Sequence, residues 1–368
     1  MSIFTVKIPG RDFCWEARLE KGRLAELTRA DHTPTDLWLT RGLVDIQVNG
    51  YAGVNLTGAG LENDQLAHLE QELLSQGVTR WCPTVTTQDP AVIRAGLAAI
   101  GKAVGDGALK RVHCIHLEAN YLSPEEGYRG AHIQRYIKPP DPAEFDSFQE
   151  ASGGRIGYVT LAPEAGGALE FIRRLAGRGI LVGLGHHNAS PEVISAAVDA
   201  GARLSTHLFN GCASEIDRHR NPILYQLAED RLWASFIPDG HHVPYQALKV
   251  GLRAKGLERS VFTSDLVSLG GSPEGEYTKH EKTVVVEDGA IWIKGTRLLS
   301  GAWSSLSQGL ARATASGIIS PADALRLSSL NPARLLGIAD RIEVLPGSEG
   351  PFVLFREDKG ALRLEKII

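Results

Sequence analysis

Histidines and carboxylates gather in five short stretches of this chain: His116-Leu117-Glu118, Gly185-His186-His187-Asn188, Thr206-His207-Leu208-Phe209-Asn210, Asp239-Gly240-His241-His242 and Thr263-Ser264-Asp265. Each closes a run of aliphatic and β-branched residues, which reads as a strand emerging into a loop. A lone histidine in such a place is ordinarily a satisfied polar residue. Five such ends on one rim form a constellation, because imidazole and carboxylate together suit zinc or another first-row divalent ion. An ion with an open coordination position activates water near neutral pH. A neighbouring carboxylate such as Asp265 then moves the proton. The chemistry implied is metal-assisted hydrolysis. Period 2 places His116 and Glu118 on the same face of their strand.

Those ends need a scaffold that brings them together. From Gly42 onward, short β-branched runs alternate with longer segments of helical period, the signature of βα units and a parallel sheet. Eight candidate strands cover 43–48, 79–86, 112–117, 156–161, 180–184, 203–208, 232–237 and 260–264. Amphipathic stretches at 62–76, 91–104, 167–178, 191–200 and 245–254 lie between them, and Ser190-Pro191 reads as an N-cap followed by proline at the first helical position. The count of eight predicts a (β/α)8 TIM barrel, with its active site at the C-terminal strand ends. A segment of strand character (281–293) and two helices (304–315 and 321–330) follow. Short strands are expected over 3–8 and 13–19, with a turn at Gly22-Arg23, and again from 342 to the end, with turns at Gly347, Gly350 and Gly360. The two termini therefore combine into a small β-sandwich domain, 1–41 with 337–368, beside a barrel over 42–336.

Composition narrows the partners. A chain of 368 residues with 43% apolar and 22% charged residues is long enough, and apolar enough, for a large soluble core with a smaller domain attached. A net charge of −4 supplies no basic field for nucleic acid and no polybasic patch for a membrane. No run of about 18 apolar residues is present to span a bilayer. The opening MSIFTVKIPGRDF lacks the apolar core of a signal peptide, so a cytoplasmic location is expected. Cys14, Cys82, Cys114 and Cys212 are far apart with no CxxC pair, which argues against a disulfide framework or a thiolate zinc site.

The sequence resembles the N-acetylglucosamine-6-phosphate deacetylases of the amidohydrolase superfamily. The resemblance is carried by Gly42-Leu-Val-Asp-Ile-Gln-Val-Asn-Gly50, His116-Leu-Glu118, Gly130-Ala-His132, Gly185-His-His-Asn-Ala189, Thr206-His-Leu-Phe-Asn210, Asp239-Gly-His-His-Val243, Ser264-Asp265, Leu299-Ser-Gly301 and Asn331-Pro-Ala-Arg334, in the family's order. It implies that Glu118, His186 and His207 hold one divalent ion, with zinc first and iron(II), manganese or cobalt also suited. Gln47 and Asn49 stand where other amidohydrolases carry an HxH pair for a second ion, which implies a single site here. By the same resemblance, Asp265 takes a proton from the attacking water and returns it to the leaving amine. His132 polarises the scissile carbonyl, and His242, Asn210 and Gly211 contact substrate. His187 and His241 carry no family role and read as packing or rim residues. The family also forms homodimers.

Departures concentrate in substrate recognition. Ala119-Asn120 stands where the family commonly shows Gly-Pro. The family's Arg-Glu-Pro-Gly stretch, whose arginine reaches substrate phosphate across a dimer interface, is replaced by a longer segment, Gly211–Ile223. Arg220 and Arg218 are both candidates for that phosphate clamp, since guanidinium forks suit phosphate. The readings left open are a deacetylase of N-acetylglucosamine-6-phosphate, a deacetylase of a non-phosphorylated or other N-acyl amino sugar, a cyclic amidohydrolase, and an inactive barrel that only binds. The missing HxH pair argues against the cyclic amidohydrolase. The retention of Glu118, His186, His207 and Asp265 argues against the inactive barrel.

Overall fold

The computed structural model describes residues 1–30, 33–279 and 282–368. The first barrel strand, Leu43–Val48, is buried along its whole length. That is what a near-continuous apolar run does when a parallel sheet is covered on both faces. Seven more strands follow in sequence order, each parallel to its predecessor: Val78–Thr86, Ile115–Glu118, Ile156–Leu161, Leu181–Leu184, Leu204–Ser205, Trp233–Phe236 and Ser260–Phe262. The ring closes just beyond the eighth strand, where Asp265 N donates to Gln47 O (3.0 Å) and Asn49 N to Leu266 O (2.7 Å). Two predicted second-metal positions and the predicted proton carrier therefore meet at the seam of the barrel.

The amphipathic stretches become the helices Asn63–Ser75, Pro90–Gly105, Ala168–Gly177, Pro191–Ala200 and Tyr245–Lys255. Ala168–Gly177 buries Phe171, Ile172 and Leu175, a single apolar stripe against the sheet. Ser190 caps its helix as expected, its side chain accepting from Val193 N ahead of Pro191. Two further barrel helices, Pro142–Ala151 and Pro222–Ala228, escaped the sequence reading. Both begin with a signal that was present, Asp141-Pro142 and Asn221-Pro222, in which the side chain caps the first turn and proline occupies its first position.

The strand expectations at 203–208, 112–117 and 281–293 need correction. Of 203–208 only Leu204–Ser205 pairs, because the chain turns off the ladder at once, with His207 and Phe209 at positive φ. The third strand starts at Ile115 rather than 112, where Val112 makes only an isolated bridge to Trp81. The expected 281–293 segment begins at Glu281, outside the described residues. The remainder forms Lys282–Glu287 and Ala290–Ile293, which join Gly275–Lys279 in a three-stranded antiparallel sheet. This sheet packs through Val284, Val286 and Ile291 on Val267, two residues beyond Asp265, so it covers the C-terminal rim as a flap.

The helix expected over 321–330 runs as Pro321–Leu325, loosens into a wider turn over Arg326–Leu330 and resumes as Asn331–Leu335. Asn331 donates to Leu257 O and Ser260 O at 2.7 Å each, pinning this tail to the start of the eighth strand. The termini supply two antiparallel sheets, Ser2–Val6 with Trp15–Glu20 and Arg23–Arg29, and Leu37–Thr40 with Val353–Asp358 and Ala361–Ile367. They share a core of Val6, Ala17, Leu19, Leu24, Leu39, Phe352 and Leu354, which makes them a β-sandwich. The strands expected directly after 342 are instead turns with one isolated bridge, Glu349 to Arg23, and the first named strand begins at Val353. Among the described residues no helix is long and apolar enough to cross a membrane.

Candidate active site

Below the rim, the barrel is plugged by a polar layer. The His116 ring stacks on Tyr158 (centroids 3.6 Å, planes 7° apart), and its nitrogens meet Thr160 Oγ1 at 2.8 Å and Thr84 Oγ1 at 3.2 Å. Burial pushes its pKa well down, so it is a neutral packing imidazole. The first histidine of the sequence pattern is therefore structural.

One layer up, Glu118, His186 and His207 converge, their ligand-type atoms all within 4.8 Å of one another. Glu118 Oε1 lies 2.9 Å from His207 Nε2 and 3.6 Å from His186 Nε2. Burial pushes the Glu118 carboxyl up to about 7, against His186 and the Gln47 amide, and holds His186 down to about 4 and His207 below its ordinary value. Two imidazoles and a carboxyl facing one another in a dry pocket are costly as a bare set and favourable around a cation. The donor set therefore fits one divalent ion.

The backbone is bent to make this possible. His186, His207 and Asp265 all take positive φ (53°, 33° and 56°), a region that costs non-glycine residues about 1–3 kcal/mol. Each turns its side chain inward immediately after its strand ends. Glycines make room for the His186 ring: Gly211 has φ +60°, and a Cβ there would meet His186 Nδ1 at 2.8 Å, while one at Gly130 would meet Cε1 at 3.1 Å. His186 Nδ1 faces Tyr128 O at 2.9 Å, which leaves Nε2 directed at Glu118.

Gln47 and Asn49 act as donors. Gln47 Nε2 donates to Glu118 Oε2 (2.9 Å), and Asn49 Nδ2 to Asp265 Oδ1 (2.6 Å). Each amide holds one carboxyl by a single oxygen. Asp265 is half-buried; its partial burial pushes its pKa up, and His207, His242 and the Asn49 bond oppose that rise. His132 reaches in from the loop after the third strand. Its Nδ1 meets Thr87 Oγ1 at 2.8 Å and its Nε2 lies 3.2 Å from His186 Nε2.

His242 has a partner that the sequence reading left without a role. Asp239 Oδ2 lies 2.7 Å from His242 Nδ1, while Oδ1 accepts from the backbone N–H of His241 and His242 at 2.9 Å each. Burial disfavours charge on both, but their mutual attraction outweighs it, so His242 is raised and Asp239 lowered. Asn120 was also missed. It is fully buried at φ 61°, with both side-chain polar atoms unpaired. The Asp239 contact depends on loop geometry, which the sequence spacing does not show.

The remaining predicted residues are placed differently. Asn210 Nδ2 donates to His207 O (3.1 Å), so within the chain it braces the loop that carries His207. His187 is buried and accepts from Ala189 N, and His241 faces Arg312 at 3.2 Å; neither joins the cluster. Arg218 and Arg220 are exposed on the loop before Asn221, where Asp217 Oδ1 caps Arg220 N. Among the described residues no hydrogen bond or ion pair joins either arginine's side chain to the cluster.

No protein-family model matches the chain. It is 34% identical over 329 residues to N-acetylglucosamine-6-phosphate deacetylase of Bos taurus, covering 86% of this chain and 79% of that one. The chain belongs to the N-acetylglucosamine-6-phosphate deacetylase family. It is also 30% identical over 330 residues to the enzyme of that name from Bacillus subtilis (88% and 82% covered). To N-acetylgalactosamine-6-phosphate deacetylase of Escherichia coli O157:H7 it is 32% identical over 298 residues (80% and 77% covered). Among solved structures, a mutant N-acetyl-D-glucosamine-6-phosphate deacetylase of Mycobacterium smegmatis in complex with N-acetyl-D-glucosamine-6-phosphate superposes with a TM-score of 0.86 at 25% identity, covering 100% of this chain and 98% of that one. The barrel and flanking sheets are those of this deacetylase family. A more distant likeness, 5-methylcytosine deaminase of Klebsiella pneumoniae (TM-score 0.57, 14% identity, 100% and 95% covered), shows the fold alone.

Proposed function

We propose that this chain is a metal-dependent deacetylase that hydrolyses N-acetylglucosamine-6-phosphate to glucosamine-6-phosphate and acetate. The observation that carries the reading is the convergence of Glu118, His186 and His207 beside a half-buried Asp265, on the barrel of a deacetylase family. We assign one divalent ion to Glu118, His186 and His207, with zinc first and iron(II), manganese or cobalt also suited to this donor set. When bound, such an ion supplies the Lewis acidity that polarises the amide and acidifies water.

The chain's own groups do the rest. Asp265, held at Oδ1 by Asn49, has Oδ2 left to take a proton from the attacking water and pass it to the leaving nitrogen. An amine leaves only when protonated, so one carboxyl acts first as base and then as acid. His132, oriented by Thr87, donates towards the carbonyl oxygen as negative charge develops there. The His242–Asp239 pair offers an imidazolium to the substrate, with His242, Asn210 and Gly211 lining its pocket. Arg218 or Arg220 serves substrate phosphate only across a homodimer interface. We place the enzyme in the cytoplasm, and divide the chain into a barrel over 42–336 and a sandwich domain over 1–41 and 337–368.

The deciding experiment compares acetate release from N-acetylglucosamine-6-phosphate, its C4 epimer N-acetylgalactosamine-6-phosphate and unphosphorylated N-acetylglucosamine by the metal-loaded protein. Preference for the first supports the proposal. Preference for the epimer favours the second reading, which the 32% identity to an N-acetylgalactosamine-6-phosphate deacetylase motivates. Release from the unphosphorylated sugar alone moves the substrate to neutral N-acyl amino sugars. Release from none refutes the deacetylase reading.

A further inference from the structure

The flap strand Gly275–Lys279 leaves Glu276 and Thr278 exposed and Tyr277 and Lys279 half-buried. Period 2 therefore turns Tyr277 and Lys279 to one face, and that face looks at the barrel. Tyr277 packs with Leu269 and Trp303 around Val267. Lys279 Nζ donates to Ser300 O at 2.5 Å. Ser300 belongs to the segment laid against the proposed proton carrier: Ala302 N donates to Asp265 O at 3.0 Å, and a Cβ at Gly301 would come 3.5 Å from Asp265 O. The ammonium thus hangs from the inner side of the flap over the wall that carries Asp265.

Its charge is felt in the pocket. Burial pushes the Lys279 pKa down to about 8, the Asp265 carboxylate works against that fall, and the Lys279 charge in turn resists protonation of His242. An ammonium has three N–H donors. Ser300 O takes one, and among the described residues no carboxylate lies within ion-pair distance of Lys279, whereas Lys294 on the same flap pairs with Glu276 at 2.7 Å. A half-buried cation with spare donors, and with no carboxylate among the described residues at ion-pair distance, is favourable when a ligand brings the anion.

We propose that Lys279 is a specificity-determining residue of this site, presenting its ammonium to the phosphate ester of a sugar bound in the same chain. The proposal rests on the deacetylase reading above. It adds a contact from the chain that holds the substrate, independent of the exposed Arg218 and Arg220. A charge-assisted contact of this kind discriminates by roughly 10- to 100-fold.

The test uses the full, metal-loaded chain as wild type, Lys279→Gln and Lys279→Arg. The first readout is the ratio of kcat/KM for N-acetylglucosamine-6-phosphate over N-acetylglucosamine. The second is calorimetric affinity for inorganic phosphate and for acetate, with thermal unfolding to confirm folding. Lys279→Gln should lower the ratio roughly 10- to 100-fold and weaken phosphate binding to match, while Lys279→Arg should restore most of both. A ratio unchanged by Lys279→Gln would leave the residue only a strap between flap and barrel, and overturns the proposal. Loss of acetate binding with phosphate affinity intact would place the cation at the acyl end, and overturns it as well. If the wild type turns over neither sugar, the deacetylase reading falls but calorimetry still decides Lys279. Phosphate binding that depends on Lys279 sustains the proposal, and phosphate binding that is absent or indifferent to Lys279→Gln ends it.

Discussion

Replacing Asp265 with asparagine isolates proton transfer from everything else in the pocket. The new side chain has the same shape, and its oxygen can still accept from Asn49 Nδ2, now 2.6 Å from Oδ1. Its NH2 then occupies the place of Oδ2, where a donor cannot take a proton from water. None of the hydrogen bonds of Glu118, His186 or His207 involves the Asp265 side chain, so metal content should be unchanged. Removing a general acid–base residue costs about 10²–10⁴-fold, which is roughly 3–5 kcal/mol of barrier at about 1.4 kcal/mol per decade. Burial raises the Asp265 pKa, so the neutral variant should unfold at the same temperature or slightly higher. The assay is steady-state acetate release, with metal counted by elemental analysis on the same sample. Full turnover by the variant would refute the assignment of Asp265. Loss of metal along with activity would show that the carboxylate is a ligand, and would refute a site made by Glu118, His186 and His207 alone.

Four further outcomes follow from the same pocket. Glu118→Ala or His207→Ala should abolish metal retention on dialysis, because each removes one of three convergent ligands; retained stoichiometric metal would locate the ion elsewhere. His132→Ala should keep the metal and lose roughly 10²–10³-fold in kcat, the usual cost of one oxyanion donor, and a change confined to KM would reassign it to binding. Gly211→Ala should weaken metal affinity without touching a ligand, because its Cβ would press on the His186 ring from a backbone at φ +60°; unchanged affinity would show that the loop yields freely. His242 is raised above the ordinary imidazole value of about 6.5 by Asp239, so the imidazolium and its stabilising pair are fully present below about 6.5 and are lost as pH rises through the raised value. KM for the phosphate ester should therefore climb over that rise, and Asp239→Asn should move the inflection to lower pH; a pH-independent KM would exclude His242 as the titrating contact.

The repeated alternation of β-branched runs with 3.6-period stretches determined the barrel, because periodicity is written locally and a buried parallel strand has few other compositions. Strands Leu43–Val48 and Ile156–Leu161 and helix Pro191–Ala200 have the bounds read from sequence for that reason. The residue types Glu118, His186 and His207 at strand ends likewise pointed to a cluster that could hold a metal ion, and the fold brings those three together. What the tertiary structure decided was which of many polar strand ends meet. His116 and His186 look alike in sequence, yet one stacks on Tyr158 within the barrel and the other turns into the pocket through a left-handed backbone that only the surrounding packing enforces. The Asp239 support of His242, the donor roles of Gln47 and Asn49, and the reach of Lys279 from the flap all join residues distant in the chain or depend on loop geometry. No local pattern encodes them, since their proximity is set by barrel closure and by a sheet folded back over the rim.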